Sequence, residues 1–290
     1  MKFIANTRDI ERYLRVKIKE QNVIKNISTD SRSLKKDSLF IALRGINFNG
    51  NDYVEDALEK GAVIVITDDK RFENSKNKKI IYVRNTISSL AKISKNIIKD
   101  YKGKVIAITG SNGKTSTTKI IGKTLKCSSS TIKNYNNEIG MPLSLMNASP
   151  KSKQLVLEIG ASKPRDIDFL SKILNPHIGV ITNIGKSHLQ QLKNIKGVLN
   201  VKSEIIKNIR SGGFLIVPNE NKQHLDYWKN IRSDIKILTF GMNKKADFFA
   251  TDIKIKQNGT QFRIISKFLD EHIYIKTNLE GTHNILNILA

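Results

Sequence analysis

The amino-acid sequence predicts an α/β protein: a small N-terminal α/β domain, then a phosphate-loop domain whose mainly parallel sheet carries appended antiparallel strands. Three observations predict it. The apolar run Val105-Ile106-Ala107-Ile108 empties into Thr109-Gly110-Ser111-Asn112-Gly113-Lys114-Thr115 and then into a helix-forming segment, the order strand, phosphate loop, helix. Strand and helix patterns alternate from Gln154 to Val217, as in a parallel sheet covered on both faces. From Phe248 the period becomes two, in runs at 248–255, 261–267 and 273–277 joined through Asn258-Gly259 and Asp270-Glu271, the pattern of antiparallel hairpins.

At 290 residues the chain exceeds the usual size of one domain, and two domains each have enough length to bury a core. The polar stretch Asp100-Tyr101-Lys102-Gly103-Lys104 precedes the loop strand and marks a boundary, dividing the chain into 1–100 and 101–290. Hydrophobic residues make up only 39%, but they fall in short ordered runs, which argues against disorder. The 50 Lys and Arg against 26 Asp and Glu leave a net charge of +24, which favours anionic partners. The lysines are scattered and travel with Ile and Asn, as A/T-rich codons produce, so attraction to nucleotides is expected without a specific nucleic-acid site.

The single cysteine, Cys127, excludes an internal disulfide, fits a reducing compartment and is expected to be a buried or half-buried small residue after the loop helix. Lys2, Arg8, Asp9, Glu11 and Arg12 break the N-terminal stretch, so it has no signal-peptide core. No apolar run reaches the roughly 18 residues of a membrane span. A soluble, cytoplasmic monomer is expected.

The loop glycines let backbone N–H groups turn inward on an anion, and the helix behind them adds the positive end of its dipole. Lys114 is placed to reach β/γ-phosphates and Thr115 to offer a hydroxyl to Mg²⁺. The spacing departs from the common G-x-x-x-x-G-K-[ST], because Ile108 stands where that pattern needs glycine. A plain Gly-rich turn is the alternative. Lys-Thr directly after the glycine at a helix start favours ATP.

In chain order, a helix is predicted at 7–14, a strand at 38–43, a helix at 53–60 and buried strands at 62–67 and 79–83. Thr29-Asp30-Ser31-Arg32 lies among them; such side chains either form turns and caps or hydrogen-bond a ligand. Beyond the loop helix come a strand at 154–159, a helix at 165–174, a strand at 178–182, a helix at 195–209 and a strand at 214–217. Ligands of such sheets bind beyond the carboxyl ends of the strands. Glu158 ends an apolar strand there and needs a partner, either a metal beside the loop or a lysine or backbone amides. His188 follows the next strand; it is either an exposed loop histidine or a ligand, although Mg²⁺ prefers oxygen. Lys202 is either a solvated lysine or, converted by CO₂ to a carbamate, an oxygen ligand.

Together these residues resemble the Mur ligases, the ATP-dependent amide-forming enzymes of peptidoglycan precursor synthesis. Thr109 to Thr115 is similar to the family phosphate loop, Glu158-Ile159-Gly160-Ala161 to its metal-carboxylate strand and Thr182-Asn183 through His188 to its histidine segment. Lys202 falls where the family carries a carbamylated lysine, and Gly281-Thr282-His283-Asn284 with Asn287 is similar to the segment that receives adenine. Asn136-Asn137-Glu138-Ile139-Gly140 with Pro142 resembles the mark of the branch that adds D-alanyl-D-alanine to UDP-N-acetylmuramoyl-tripeptide. Thr29 to Arg32, with Leu39-Phe40 and Ala42-Leu43, is similar to that branch's uridine-nucleotide domain. In the segment Asn47-Phe48-Asn49-Gly50-Asn51-Asp52, Asn49 and Asn51 stand where Asp and His are typical.

The resemblance implies that residues 1–100 hold the UDP-sugar peptide, with Ser31 and Arg32 among the contacts, and that 101–290 holds ATP and Mg²⁺. Gly110, Ser111, Asn112, Gly113, Lys114, Thr115 and Ser116 would contact the nucleotide with Asn284 and Asn287. Thr115 and Glu158 would hold one metal, His188 and carbamylated Lys202 a second; Lys114, His188 and Lys202 would be catalytic, and Asn136, Asn137 and Glu138 would face incoming substrates. The implied reaction turns a carboxylate into an acyl phosphate, which a dipeptide amine attacks. Alternatives are an amino-acid-adding sister ligase, a folate polyglutamate ligase or an ATP- or UDP-sugar-binding remnant without turnover. The helix opened at Gly281 is cut at Ala290, so the resemblance also implies that a C-terminal domain is absent and that these residues alone form no amide at a useful rate.

Overall fold

Strand β2 (Ser38–Ile41) is buried along its whole length and alternates its two apolar sets between opposite sheet faces. It pairs in parallel with β1 (Asn26–Ser28) and β3 (Ala62–Thr67), and β3 pairs in parallel with β4 (Ile80–Tyr82), giving the sheet order β1-β2-β3-β4. A wholly parallel sheet needs cover on both faces. Phe40, Ala42 and Val65 pack on one side with Val54 and Ala57 of α2 (Val54–Glu59). Two more helices, α1 (Thr7–Leu14) and α3 (Thr86–Asp100), pack on each other. The computed structural model describes residues 3–45, 48–256 and 259–290. Asn47, and Asn258 of the expected hairpin turn, lie outside them.

Sequence reading missed α3, the longest helix among the described residues. Its buried Leu90, Ile93, Ser94, Ile97 and Ile98 keep helical spacing, and Asn85 caps it by accepting from the Ser88 N–H at 2.7 Å. Intervening Ser, Lys and Asn diluted the apolar signal.

The remaining elements are β5 (Lys104–Thr109), α4 (Lys114–Thr124), β6 (Ser128–Ser130), α5 (Gly140–Asn147), β7 (Gln154–Glu158), α6 (Asp166–Leu174), β8 (Ile178–Ile181), α7 (Leu189–Leu192), α8 (Ile195–Ser203), β9 (Phe214–Pro218), α9 (Lys222–Lys229), β10 (Lys236–Gly241), β11 (Phe248–Lys256), β12 (Gly259–Ser266), β13 (Ile273–Thr277) and α10 (Thr282–Leu289). Their nine strands form one sheet in the order β13-β12-β11-β10-β9-β8-β5-β7-β6. From β6 across to β11 every neighbouring pair is parallel, whereas β12 pairs antiparallel with β11 and β13 antiparallel with β12, so that β12 alone runs against the rest. The expected appended hairpins are therefore entered through a parallel contact, since β11 meets β10 at two residue pairs, Phe240 with Phe248 and Gly241 with Phe249.

Contacts divide the chain into two units, Met1–Lys102 with Glu138–Ser152, and Gly103–Asn137 with Lys153–Ala290. This corrects the simple cut near residue 100: α5, expected in the second domain, packs on α3 and β1 of the first unit, where the buried Met141, Leu143, Leu145 and Met146 need an apolar face. Two further expectations change. The helix predicted at 195–209 ends at Ser203 and tightens into a 3₁₀ turn, Glu204–Asn208. Cys127 is exposed, at φ 61° just beyond α4, because the chain turns there in a left-handed conformation and directs no apolar face inward. Among the described residues no helix is long and apolar enough to cross a membrane.

At the amino ends of β5 and β8, His177 Nδ1 accepts from the Val105 N–H at 3.0 Å and Nε2 lies 3.1 Å from the Arg210 guanidinium. Burial, then Arg210 and Lys104, pushes the imidazole down to about 4. A histidine held neutral in the fold but able to protonate when unfolded destabilises the fold as pH falls from about 6.5 toward 4. Partial solvent access limits the loss to about 1–2 kcal/mol. Urea unfolding at pH 7 and pH 4.5 is expected to show this loss in the parent and a smaller one in His177→Gln; equal losses would remove His177 as its source.

Candidate functional site

Strand β5 stands where the sheet's connections diverge: the chain leaves β5 toward β6 on one side, whereas β8 leads to β9 on the other. Such a switch point opens a crevice at the carboxyl ends of the strands, and the loop Gly110–Gly113 leaves β5 into it. Gly110 has φ 148° and Gly113 φ 79°. A Cβ on Gly110 would lie 2.0 Å from Thr182 Oγ1, and one on Gly113 2.2 Å from Asn287 Oδ1. Both glycines are needed for conformation and for close approach.

The loop is latched to the segment after β8. Ser111 N–H donates to the Asn183 carbonyl at 3.1 Å and Asn112 N–H to Asn183 Oδ1 at 2.9 Å. Thr182 Oγ1 donates to the Asn112 carbonyl. Ser111 Oγ donates to the Gly185 carbonyl and accepts from its N–H, each at 2.9 Å, and Ser187 Oγ donates to it at 3.1 Å. The backbone of the loop is therefore held from outside, leaving the first turn of α4 open.

Lys114 opens α4 and folds back, donating to the carbonyls of Gly110 at 3.0 Å and Ser111 at 3.2 Å. Burial lowers the affinity of its amine for protons, and the charge of Glu158 partly restores it. Thr115 Oγ1 donates to Glu158 Oε2 at 2.8 Å. Glu158 is 1% exposed and reaches this place because β7 pairs with β5 in the register Ile108 to Glu158. Its other oxygen, Oε1, accepts from Asn136 Nδ2 at 2.7 Å, and its N–H donates to Thr131 Oγ1 at 2.7 Å. Ser116 is exposed on the same turn.

Lys202 is 1% exposed in α8. Burial, then the positive charge of Lys114, pushes its amine down to about 8 against the pull of Glu204 and Asp166. Its Nζ makes no hydrogen bond or ion pair among the described residues. His188 is exposed, at φ 49°, and its carbonyl accepts from Gln191 and Leu192 at the start of α7. Among the described residues no three His, Cys, Asp or Glu side chains cluster as a metal site. Thr115 and Glu158 are nevertheless hard oxygen donors of the kind Mg²⁺ takes alongside phosphate and water.

Helix α10 packs on α4. Asn287 is nearly buried, accepting from Thr117 Oγ1 at 3.4 Å and donating to Asn284 Oδ1 at 3.4 Å, while Asn284 Nδ2 donates to the Glu280 carbonyl at 2.7 Å. The contact of Asn287 with the loop glycine, like the part of Thr131, had no sequence signal, because each depends on long-range packing.

In the first unit Asp30 caps a short 3₁₀ turn and pairs with Arg32 through both carboxylate oxygens, at 2.9 and 2.8 Å. Ser31 is buried, and its carbonyl accepts from Lys60 Nζ at 3.3 Å. Asn51 is buried too, bonded through its side chain to Asn49, Thr67 and Asp68. Asp68 also accepts from Arg44 Nε at 3.1 Å; burial opposes its ionisation, but Arg44, Asn51 and Thr86 outweigh that and hold it below the usual carboxylate range. Asn137 and Glu138 are exposed and fall on either side of the division, Asn137 with the second unit and Glu138 with the first.

The fold and loop define a phosphate-loop α/β protein. Residues 108–290 match the profile of the Mur ligase middle domain, and residues 23–102 that of the Mur ligase family catalytic domain. The chain belongs to the Mur ligase family. It is 38% identical over 270 residues to the UDP-N-acetylmuramoyl-tripeptide–D-alanyl-D-alanine ligase of Buchnera aphidicola subsp. Baizongia pistaciae, covering 92% of this chain and 58% of that protein. To the ligase of the same name from Bacillus subtilis it is 34% identical, covering 93% and 58%. The crystal structure of MurF from Acinetobacter baumannii superposes with a TM-score of 0.86 at 26% identity, over 99% of this chain and 63% of that one. MurF from Thermotoga maritima in complex with ADP superposes at 0.80 and 28% identity, over 91% and 61%. The chain thus spans somewhat under two thirds of the length of these relatives.

Proposed function

We propose that this protein is a cytoplasmic, monomeric, ATP-dependent amide ligase that joins D-alanyl-D-alanine to UDP-N-acetylmuramoyl-tripeptide. The observation that carries the reading is the Thr115 hydroxyl set 2.8 Å from a buried carboxylate, Glu158, beside Lys114 at the start of α4. The relatives bearing that activity in their names, and the ADP complex of one of them, support it.

The N–H groups at the α4 N-terminus would receive the β- and γ-phosphates. Lys114 would exchange two neutral carbonyls for charged phosphate oxygens, a stronger bond. Ser116, Asn284 and Asn287 would add nucleotide contacts. Thr115 and Glu158 would hold Mg²⁺, which when bound offsets phosphate charge. The depressed Lys202 amine keeps a neutral fraction near pH 8, the form that adds CO₂ to give a carbamate; with His188 it would offer ligands to a second cation. Ser31 and Arg32 would contact the uridine nucleotide, and Asn137 and Glu138 the incoming peptide substrates.

The substrate carboxylate attacks the γ-phosphorus, releasing ADP and forming an acyl phosphate. The dipeptide amine then attacks the acyl carbon, so that phosphate and a proton leave and the amide remains. Positioning and charge neutralisation supply most of the acceleration. The test expresses the complete reading frame carrying these residues and offers D-alanyl-D-alanine with single amino acids in competition, in the presence of ATP, Mg²⁺ and the UDP-linked tripeptide. Incorporation of the dipeptide is expected. Incorporation of a single amino acid would shift the assignment to a sister ligase, and ATP binding without any amide would overturn it.

A further inference from the structure

We infer that Asn136 is a positioning residue for the metal-binding carboxylate, acting with Thr131 as a clamp on Glu158. The inference rests on the proposed ATP–Mg²⁺ site and concerns how that site is kept in register. A carboxylate at the end of a buried strand can rotate about its last bond, and only one orientation turns a given oxygen to the loop. Here the two oxygens have different partners: Oε2 faces the Thr115 hydroxyl at 2.8 Å, and Oε1 takes the Asn136 amide at 2.7 Å. The backbone is fixed as well. Thr131 Oγ1 accepts the Glu158 N–H at 2.7 Å, and the Thr131 N–H donates to the Val156 carbonyl at 3.1 Å, continuing the pairing of β6 with β7.

Asn136 is itself held, because its carbonyl accepts the Gly160 N–H at 2.7 Å. A Cβ on Gly160 would lie 2.8 Å from Asn136 Oδ1, so this side chain lies close against the backbone just past Glu158. Nδ2 can donate to the carboxylate, which a substrate-facing asparagine need not do. Partners that orient a metal-binding carboxylate typically govern metal affinity by about 10–100-fold.

The test measures binding of a non-hydrolysable ATP analogue by calorimetry, with and without Mg²⁺. The affinity without Mg²⁺ reads the loop and Lys114; the gain on adding Mg²⁺ reads Thr115 and Glu158. Asn136→Ala is expected to keep the Mg²⁺-free affinity and melting temperature near those of the parent while cutting the Mg²⁺-dependent gain by roughly 10-fold. Asn136→Ser, too short to reach Oε1 but polar, should do the same and serves if the alanine variant fails to fold. Lys133→Ala, at an exposed position three residues before Asn136, should change neither quantity. In a Glu158→Gln background, Asn136→Ala should have no further effect on the gain. A full Mg²⁺-dependent gain in Asn136→Ala, or additive losses in the double variant, would overturn the clamp while leaving the ATP site standing. A parent that binds no nucleotide under either condition would overturn the site and the clamp together.

Discussion

Lys114→Ala is expected to weaken ATP binding about 100-fold, because one charge-assisted contact to phosphate is worth roughly 1.5–3 kcal/mol and each 1.4 kcal/mol is tenfold. The effect on folding should be small. Burial already disfavours this ammonium, and its direct partners among the described residues are two loop carbonyls, with Glu158 acting through its charge. Calorimetry against ATP, with melting curves in parallel, checks both halves. An unchanged affinity in a folded variant would remove the loop from nucleotide binding.

Lys202→Met is expected to stabilise the fold by about 3 kcal/mol at pH 7, since an amine pushed down to about 8 from 10.5 carries a penalty of about 1.4 kcal/mol for each unit when charged. The sign follows from proton counting. The unfolded chain holds the proton up to about pH 10.5 and the fold releases it near 8, so the penalty is full below pH 8 and shrinks as pH rises through that window. Methionine keeps the unbranched shape and removes the charge. Urea unfolding of parent and variant at pH 7 and pH 10 should therefore show a gain at the lower pH that mostly vanishes at the higher. A loss at pH 7 would mean that Lys202 has a stabilising partner, and the same substitution would be expected to lower turnover because it also removes the amine that CO₂ requires.

Such opposed effects, function lost and stability gained, follow where a charged group is kept in a buried place. The site holds three charged side chains away from water, Lys114, Glu158 and Lys202, and the effect is expected at Lys202. Of these, Glu158 is fully bonded, Lys114 rests on two carbonyls, and the Lys202 amine has no direct bond among the described residues.

The strand, loop and helix around Gly110 to Thr115 were legible because each is local: an apolar run, two glycines where the backbone needs positive φ, and a helix-forming segment. The period-two runs after Phe248 were legible for the same reason, and β11, β12 and β13 lie where alternation put them. Helix α3 was missed because Ser, Lys and Asn dilute its apolar spacing. Two short polar strands were not legible, since β6 is Ser128-Ser129-Ser130 and β1 is Asn26-Ile27-Ser28, residues that extend only because a neighbouring strand offers hydrogen bonds.

By itself, then, the sequence determined the local chemistry: which residues carry charge or hydroxyls, where glycine permits a turn, and that strands alternate with helices before a run of hairpins. Tertiary structure decided what meets what. Thr115 and Glu158 are 43 residues apart, and the one-residue register between β5 and β7 brings them together; a slip by one would have turned Glu158 to the opposite face. The α5 segment left its neighbours in sequence for the first unit because its apolar residues found their cover there. Asn136 became a clamp and Asn287 a neighbour of Gly113 through contacts that span 22 residues in one case and most of the second unit in the other. Pairing energies of this kind belong to surfaces that exist only after the chain has folded, so no local pattern can encode them one residue at a time.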